Sequence, residues 1–256
     1  MYNSIYNTLI IGKKVIYLPT CHSTNDIAAE IVHKGPTEEG TIVITDNQVG
    51  GRGQRGSKWY TEPSQNLTFS VIIKPYFLLI AEQFLISQIV ALAIHDYFSL
   101  YTTEVKIKWP NDIYIKDKKI SGTLIENSIQ GTSISHSVVG IGININQVHF
   151  ENPRSTSLAH ILGSPVSLEA EFIKLIHLLD TRYLKLKSMK HYQNIRSEYL
   201  SRLYGYQQTV TFRYQNEIVK GTITNVTDSG RLCVKFNDKP DIQEFGLKEI
   251  EFVWDS

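Results

Sequence analysis

The sequence predicts an α+β protein: a mixed β-sheet with flanking helices, followed by a small antiparallel β-barrel. Three observations lead there. Short runs of branched and aromatic residues are interspersed with stretches of helical periodicity from Val15 to about Tyr204. Between Val105 and Asn127 three strand-like segments follow one another closely. Beyond Gly205 the texture changes to alternating polar and apolar segments separated by turn residues.

Taken in order, Val15-Ile16-Tyr17-Leu18 is a short apolar run and reads as a strand. A helix follows, since Ser23 or Thr24 can cap it, Ile27, Ala28, Ile31 and Val32 recur at helical spacing, and Gly35 before Pro36 ends it. Thr41 to Thr45 is a second strand that feeds a glycine-rich loop. Leu67 to Lys74 is a third strand, stopped by Pro75, and Ala81 to Leu100 carries one apolar helical stripe. Strands are expected at 105–108, 112–115 and 120–127, the last two joined by the polar turn Lys116-Asp117-Lys118-Lys119. Gly131-Thr132 turns into the apolar strand Ile134 to Ile143. Residues 145–166 read as irregular, with helices expected over 168–186 and 192–204. Three strands of the terminal barrel are legible, at 210–214, 218–223 and 231–236, with turns at Gln215-Asn216 and Asp228-Ser229-Gly230. A barrel of this size needs a partner surface to be stable.

Composition bounds the function. Lysine plus arginine number 26 against 25 acids, so there is no global field to attract nucleic acid. No basic leader precedes an apolar stretch, and nowhere do 18 apolar residues run together, so the expectation is a cytoplasmic protein with no membrane segment. Cys21 and Cys233 lack metal-ligand spacing and read as small core residues in a reducing compartment.

The segment from Gly50 to Trp59 holds four glycines, three cations and a tryptophan in ten residues. Glycines let main-chain amides wrap an anion, and Arg52 and Arg55 add forked donors suited to carboxylate or phosphate. Such a loop also suits a disordered RNA-binding segment, and Arg55 is equally readable as a surface charge, whereas Arg52, flanked by Gly51 and Gly53, reads as functional. It is not a Walker loop, because in Gly56-Ser57-Lys58 the lysine follows the serine. Lys119 alone reads as part of a wet hairpin, Asn111 and Asp112 after Pro110 as a turn, and Ser23-Thr24 as a helix cap. Trp59 and Trp109 are candidates for the core, Trp59 equally for stacking on a base. Gly140 and Gly142, with Asn144 beyond, sit inside a strand, where glycine admits a ligand close to the sheet.

Four blocks in this order, Gly50 to Trp59, Lys108-Trp109-Pro110-Asn111-Asp112, Lys119 to Glu126 and Gly140 to Asn146, resemble the biotin–protein ligase family. The resemblance covers nearly the whole chain. It implies a catalytic domain of the biotin/lipoate ligase type over 1–204 and an SH3-like barrel over 205–256, where Gly221, Asp228, Gly230 and Leu232 match. It implies a biotin site made by Ser23, Thr24, Asn25, Gln48, Gly51, Arg52, Gly53, Gln54, Lys119, Gly122, Gly140 and Gly142. It implies a nucleotide site made by Arg52, Gln54, Arg55, Trp59, Asn111, Asp112, Lys119 and Asn144. The family loop commonly has arginine where this chain has Gln54, and a neutral amide does not neutralise an adenylate oxygen.

The reaction so implied joins biotin to the α-phosphate of ATP, then passes the acyl group to a lysine of a biotin carboxyl carrier protein. Arg52, Lys119 and Asp112 are the expected catalytic residues, with Mg2+ carried mainly by the ATP phosphates. Two alternatives are a lipoate-type protein acyltransferase and a biotin-responsive DNA-binding regulator. Only 22 residues precede Ser23, and they lack two helical patterns, so no DNA is expected as partner. The family leaves room for a homodimer.

Overall fold

A computed structural model describes the chain apart from residues 1, 3, 6, 189–191, 255 and 256. Seven strands form one mixed sheet: β1 (Val15–Cys21), β2 (Thr41–Gln48), β3 (Leu67–Ile73), β4 (Val105–Lys108), β5 (Asp112–Ile115), β6 (Lys118–Gln130) and β7 (Ser133–Ile143), in the order β1-β2-β3-β7-β6-β5-β4. Only β1 and β2 run parallel; every other neighbouring pair in this sheet is antiparallel.

Strand alternation divides the sheet into two faces with different tasks. On one face Phe69, Val71 and Ile73 of β3 and Val139, Ile141 and Ile143 of β7 belong to the main core, together with α2 (Phe84–Ser99) and α4 (Leu168–Ser188). On the other, α1 (Thr24–Lys34) sets Ala28 against Val43, Ile72 and Val138 in a smaller cluster. Ser23 caps α1, its Oγ accepting from the Asp26 amide at 3.4 Å. Beyond that cluster the same face carries Thr68, Ser70, Gly140, Gly142 and Gly122, and there it is left open.

Several boundaries differ from expectation. The helix expected from Ala81 begins as a 3-10 turn, Ile80–Glu82, and becomes α-helical at Phe84. It is buried around most of its circumference rather than along one stripe, because the sheet, α4 and α5 (Gln193–Arg202) all pack on it. The stretch expected to be irregular contains a short helix, α3 (Leu158–Leu162), with Ser157 at its N-cap and Gly163 at φ 76° at its end. On α4, Asp180 accepts from the amides of Leu9, Ile10 and Ile11 at 2.7, 2.9 and 2.7 Å, which ties the N-terminal segment to the body.

The second sheet has five antiparallel strands, β8 (Thr209–Tyr214), β9 (Glu217–Val226), β10 (Leu232–Phe236), β11 (Ile242–Phe245) and β12 (Glu251–Phe252), in the order β11-β10-β9-β8-β12. The ladder ends at β11 on one side and β12 on the other, two strands beyond the three read from sequence. Three bonds hold the approach to this sheet against the β4–β5 corner: Tyr204 N to Ile107 O at 2.7 Å, Tyr199 Oη to Pro110 O at 2.6 Å and Trp109 Nε1 to Gly230 O at 2.9 Å. Trp109 is thereby a buried structural residue of the junction.

Candidate active site

The open face of the first sheet is the floor of a cavity of about 530 Å3. Register explains why it is a groove. Thr68 of β3, Gly142 of β7 and Gly122 of β6 lie on one rung, and Ser70, Gly140 and Leu124 on the next. Side chains at those glycines would fill the space. A Cβ at Gly140 would lie 2.3 Å from Asn25 Oδ1, and one at Gly142 would lie 2.3 Å from Cε2 of Trp59. The indole of Trp59 thus lies along the glycine rung, its Nε1 buried and without a hydrogen-bond partner among the described residues.

At one end of the groove the N-terminus of α1 meets β2 and β3 in a chain of hydrogen bonds. Gln48 Oε1 accepts from the Thr24 amide at 2.8 Å and from its hydroxyl at 3.3 Å. Ser70 Oγ donates to Thr24 Oγ1 or Asn25 Oδ1, at 2.7 and 2.6 Å, and Asn25 Nδ2 donates to Glu126 Oε2 at 2.7 Å. Such a network fixes rotamers before a ligand arrives. It also holds Asn25 buried beneath the groove, where its cost as a polar group is offset by its partners.

The glycine-rich loop forms the lid side. Arg52 and Lys58 form an isolated bridge across it, and residues 54–56 make a 3-10 turn. The Arg52 guanidinium donates to Asp26 Oδ1 at 2.5 Å and to both Glu126 oxygens at 3.3 Å. The Gln54 amide donates to Asn111 Oδ1 at 3.1 Å and to Thr123 O at 3.4 Å, so a neutral latch fastens the loop to the β4–β5 corner and to β6.

At the other end lie Lys108, Asp112 and Lys119, contributed by three adjacent strands. Lys119 Nζ donates to Asp112 Oδ2 at 2.7 Å, and both side chains are largely shielded from solvent. Lys108 pairs across the ladder with Asp112. Its ammonium is pushed below the usual lysine range, first by burial and then by Lys119 and Arg154, against the pull of Asp112 and Glu251. Leu247, Lys248, Ile250, Glu251 and Phe252 close this end from the second sheet.

Of the residues singled out from sequence, Ser23, Thr24, Asn25, Gln48, Arg52, Gly53, Gln54, Trp59, Asp112, Lys119, Gly122, Gly140 and Gly142 all line the cavity. Gly51, Asn111 and Asn144 stand just outside its wall. Gly51 backs onto the Trp59 carbonyl, Asn111 receives Gln54, and Asn144 donates its amide to Thr156 O at 3.0 Å, fixing the segment behind β7. The side chain of Arg55 lies outside the described residues. Sequence reasoning gave no site role to Asp26, nor to Lys108 and Glu126, although both of the latter fall within the blocks that carry the resemblance. The period of β6 contained the signal for Glu126, since Gly122, Leu124 and Glu126 alternate onto one face.

This arrangement has relatives. The model of the biotin/lipoate A/B protein ligase family matches residues 17–144, half of the chain. The chain is 26% identical over 249 residues to a bifunctional ligase/repressor of Bacillus subtilis, covering 95% of this chain and 74% of that protein. It is 26% identical over 225 residues to a biotin–[acetyl-CoA-carboxylase] ligase of Paracoccus denitrificans, covering 83% of this chain and 91% of that one. Its fold is similar to that of a biotin protein ligase from Aquifex aeolicus in complex with biotin and ATP, with a TM-score of 0.75 and 24% identity, covering 93% of this chain and 98% of that one. Since that family's model matches half of the chain, the chain belongs to the biotin/lipoate A/B protein ligase family.

Proposed function

We infer that this protein is an ATP-dependent biotin–protein ligase, which forms biotinyl-5′-AMP and transfers biotin to a lysine of a biotin carboxyl carrier protein. The observation that carries the reading is the groove itself: a slot floored by Gly122 and Gly142, polar at the Thr24–Gln48 end and cationic at the Lys119 end, in a fold shared with biotin ligases. Its volume of about 530 Å3 falls within the range of small-molecule sites. A fused-ring urea fits a flat slot with donors and acceptors at its closed end, and a valerate chain leads its carboxylate toward the cations.

In the first step a biotin carboxylate oxygen bonds to the α-phosphorus of ATP while the bond from that phosphorus to the bridging oxygen breaks, and pyrophosphate leaves with the electron pair. Both reactants are anions, so cancellation of charge and in-line placement supply most of the catalysis. Lys119, held by Asp112, and Arg52, held by Asp26 and Glu126, stand on opposite sides of the groove for this purpose. In the second step the amine of the carrier lysine attacks the mixed anhydride, AMP departs, and the amine gives up a proton, for which Asp112 is the nearest carboxylate among the residues singled out from sequence. Mg2+ enters on the nucleotide phosphates. Among the described residues no group of three or more His, Cys, Asp or Glu side chains comes together that could hold a metal ion. Among the described residues no helix is long and apolar enough to cross a membrane.

The test is release of pyrophosphate that requires both biotin and ATP, followed by mass-tagged biotin on a carrier domain. Release with lipoate instead of biotin would move the chain to the acyltransferase branch of the family.

A further inference from the structure

Arg52 lines the cavity, but among the described residues neither of its two carboxylates does. Asp26 and Glu126 stand at the rim, and the three side chains are 41–45% exposed. One guanidinium therefore faces two acidic groups, and neither carboxylate makes another ion pair among the described residues. Pairs as exposed as these are screened by water and exchange readily for another anion.

The two contacts are not equivalent. Asp26 Oδ1 lies 2.5 Å from Arg52 Nη2, whereas Glu126 accepts through both oxygens at 3.3 Å. Glu126 also has a second partner, the buried Asn25, whose Nδ2 donates to its Oε2 at 2.7 Å and to Leu124 O at 3.3 Å. Asn25 is in turn held by Ser70 Oγ at 2.6 Å. An anion that takes Arg52 from Glu126 therefore leaves nothing orphaned: Asp26 keeps the guanidinium and Asn25 keeps Glu126. Strand period puts Glu126 in the right place for such an exchange. Gly122 and Leu124 of β6 line the cavity, and Glu126 is the next residue on that face. Its flat, two-oxygen head meets the forked guanidinium as any other carboxylate would.

We propose that Glu126 is an internal competitor for Arg52, a stand-in for the ligand carboxylate that the ligand must displace. Glu126 then touches no substrate. It acts through Arg52, as a positioning residue that sets how firmly the groove holds an acid relative to its uncharged counterpart. The proposal rests on the ligase reading for the identity of that acid.

The experiment titrates biotin, and separately biotinamide, in which a neutral carboxamide replaces the carboxylate, into the full chain by calorimetry without ATP. Glu126→Gln keeps an acceptor for Asn25 and removes the charge that holds Arg52. Biotin is expected to bind about two- to fivefold more tightly to this variant, the equivalent of one exposed ion pair released. Biotinamide affinity is expected to stay within about twofold of the wild type. In an Arg52→Ala background the gain for biotin is expected to vanish, because no guanidinium is left to release. A purely structural role for Glu126 predicts the opposite sign, with both ligands weakened. Unchanged or weaker biotin binding in Glu126→Gln overturns the proposal, and so does equal tightening of biotin and biotinamide. A gain that persists without Arg52 overturns it too, since Glu126 would then only repel the anion. Failure of the ligase reading looks different: the wild type itself would bind neither biotin nor biotinamide, and the proposal would fall with it.

Discussion

Arg52 is a charged residue of the glycine-rich loop held by two carboxylates. Its guanidinium bridges Asp26 and Glu126, which pins the glycine-rich loop to α1 and β6. An incoming carboxylate and triphosphate would meet an arginine already held by two carboxylates rather than one loose in solvent. Lys119 is held in the same way by Asp112. Arg52→Ala and Lys119→Ala are each expected to slow biotin-dependent pyrophosphate release by roughly 10- to 150-fold, the rate equivalent of about 1.5–3 kcal/mol. Circular dichroism should remain that of the wild type. Wild-type rates in both variants would remove these residues from the site. Gln54 poses the converse question. Its amide latches the loop through Asn111 and Thr123, a neutral fastening at the place where the family commonly has arginine. Gln54→Ala loses the latch and is expected to release biotinyl-adenylate faster in the absence of carrier. Gln54→Arg exchanges the latch for a charge-assisted contact and is expected to slow that release about tenfold. Equal off-rates in all three proteins would mean that residue 54 does not touch the adenylate.

At the scale of elements, the groove exists because two strands carry glycine on one rung. Gly142→Ala puts a methyl 2.3 Å from the Trp59 indole, closer than real contacts allow. The loop is the softer side and must yield. Overpacking of about 1–3 kcal/mol predicts a rise of roughly 5- to 150-fold in KM for biotin, with little change in the unfolding midpoint, because the strain is relieved by a partly exposed loop. A large fall in midpoint with unchanged KM would show that the rung is packed for stability alone. This groove was legible in sequence as far as local chemistry reaches. Ser23 as cap, the glycines inside a strand and the cationic loop each carry their own signal. The partners were not legible, because they arise from register: nothing in the order of residues sets Asp26 against Arg52 or Gln54 against Asn111. Short elements were lost for a related reason. β12 spans two residues, Glu251–Phe252, too few for any period to show, and it is defined by its pairing with Arg213 and Phe212 on β8. α3 is five residues long and depends on Ser157 and Gly163 at its ends more than on an apolar stripe.

The whole molecule is held by contacts that cross between elements, and the α2–α4–α5 corner is where pH should reach its stability. Arg182 of α4 donates to Asp96 at 2.7 Å and bidentately to Glu198 at 2.6 and 2.8 Å, while Arg202 joins the same two carboxylates from α5. His95 of α2 sits beside this cluster, with Nδ1 3.2 Å from the Arg202 guanidinium. Burial, and then that guanidinium, push its pKa from the usual 6.5 down to about 4. A histidine kept neutral in the native state takes up its proton on unfolding. Its contribution is therefore complete above pH 6.5 and is lost as pH falls toward 4. Glu198 acts in the same direction, since the Arg182 hydrogen bond holds its carboxyl below the usual range and protonation at still lower pH releases that support. The histidine alone accounts for at most about 3 kcal/mol over this window. The urea midpoint is accordingly expected to fall between pH 6.5 and 4, and to fall less steeply in His95→Gln, which keeps an acceptor for Arg202 but has no proton to gain. If the two proteins lose stability in parallel over that window, the acid sensitivity belongs to other groups and the corner is held by its arginine–carboxylate pairs alone.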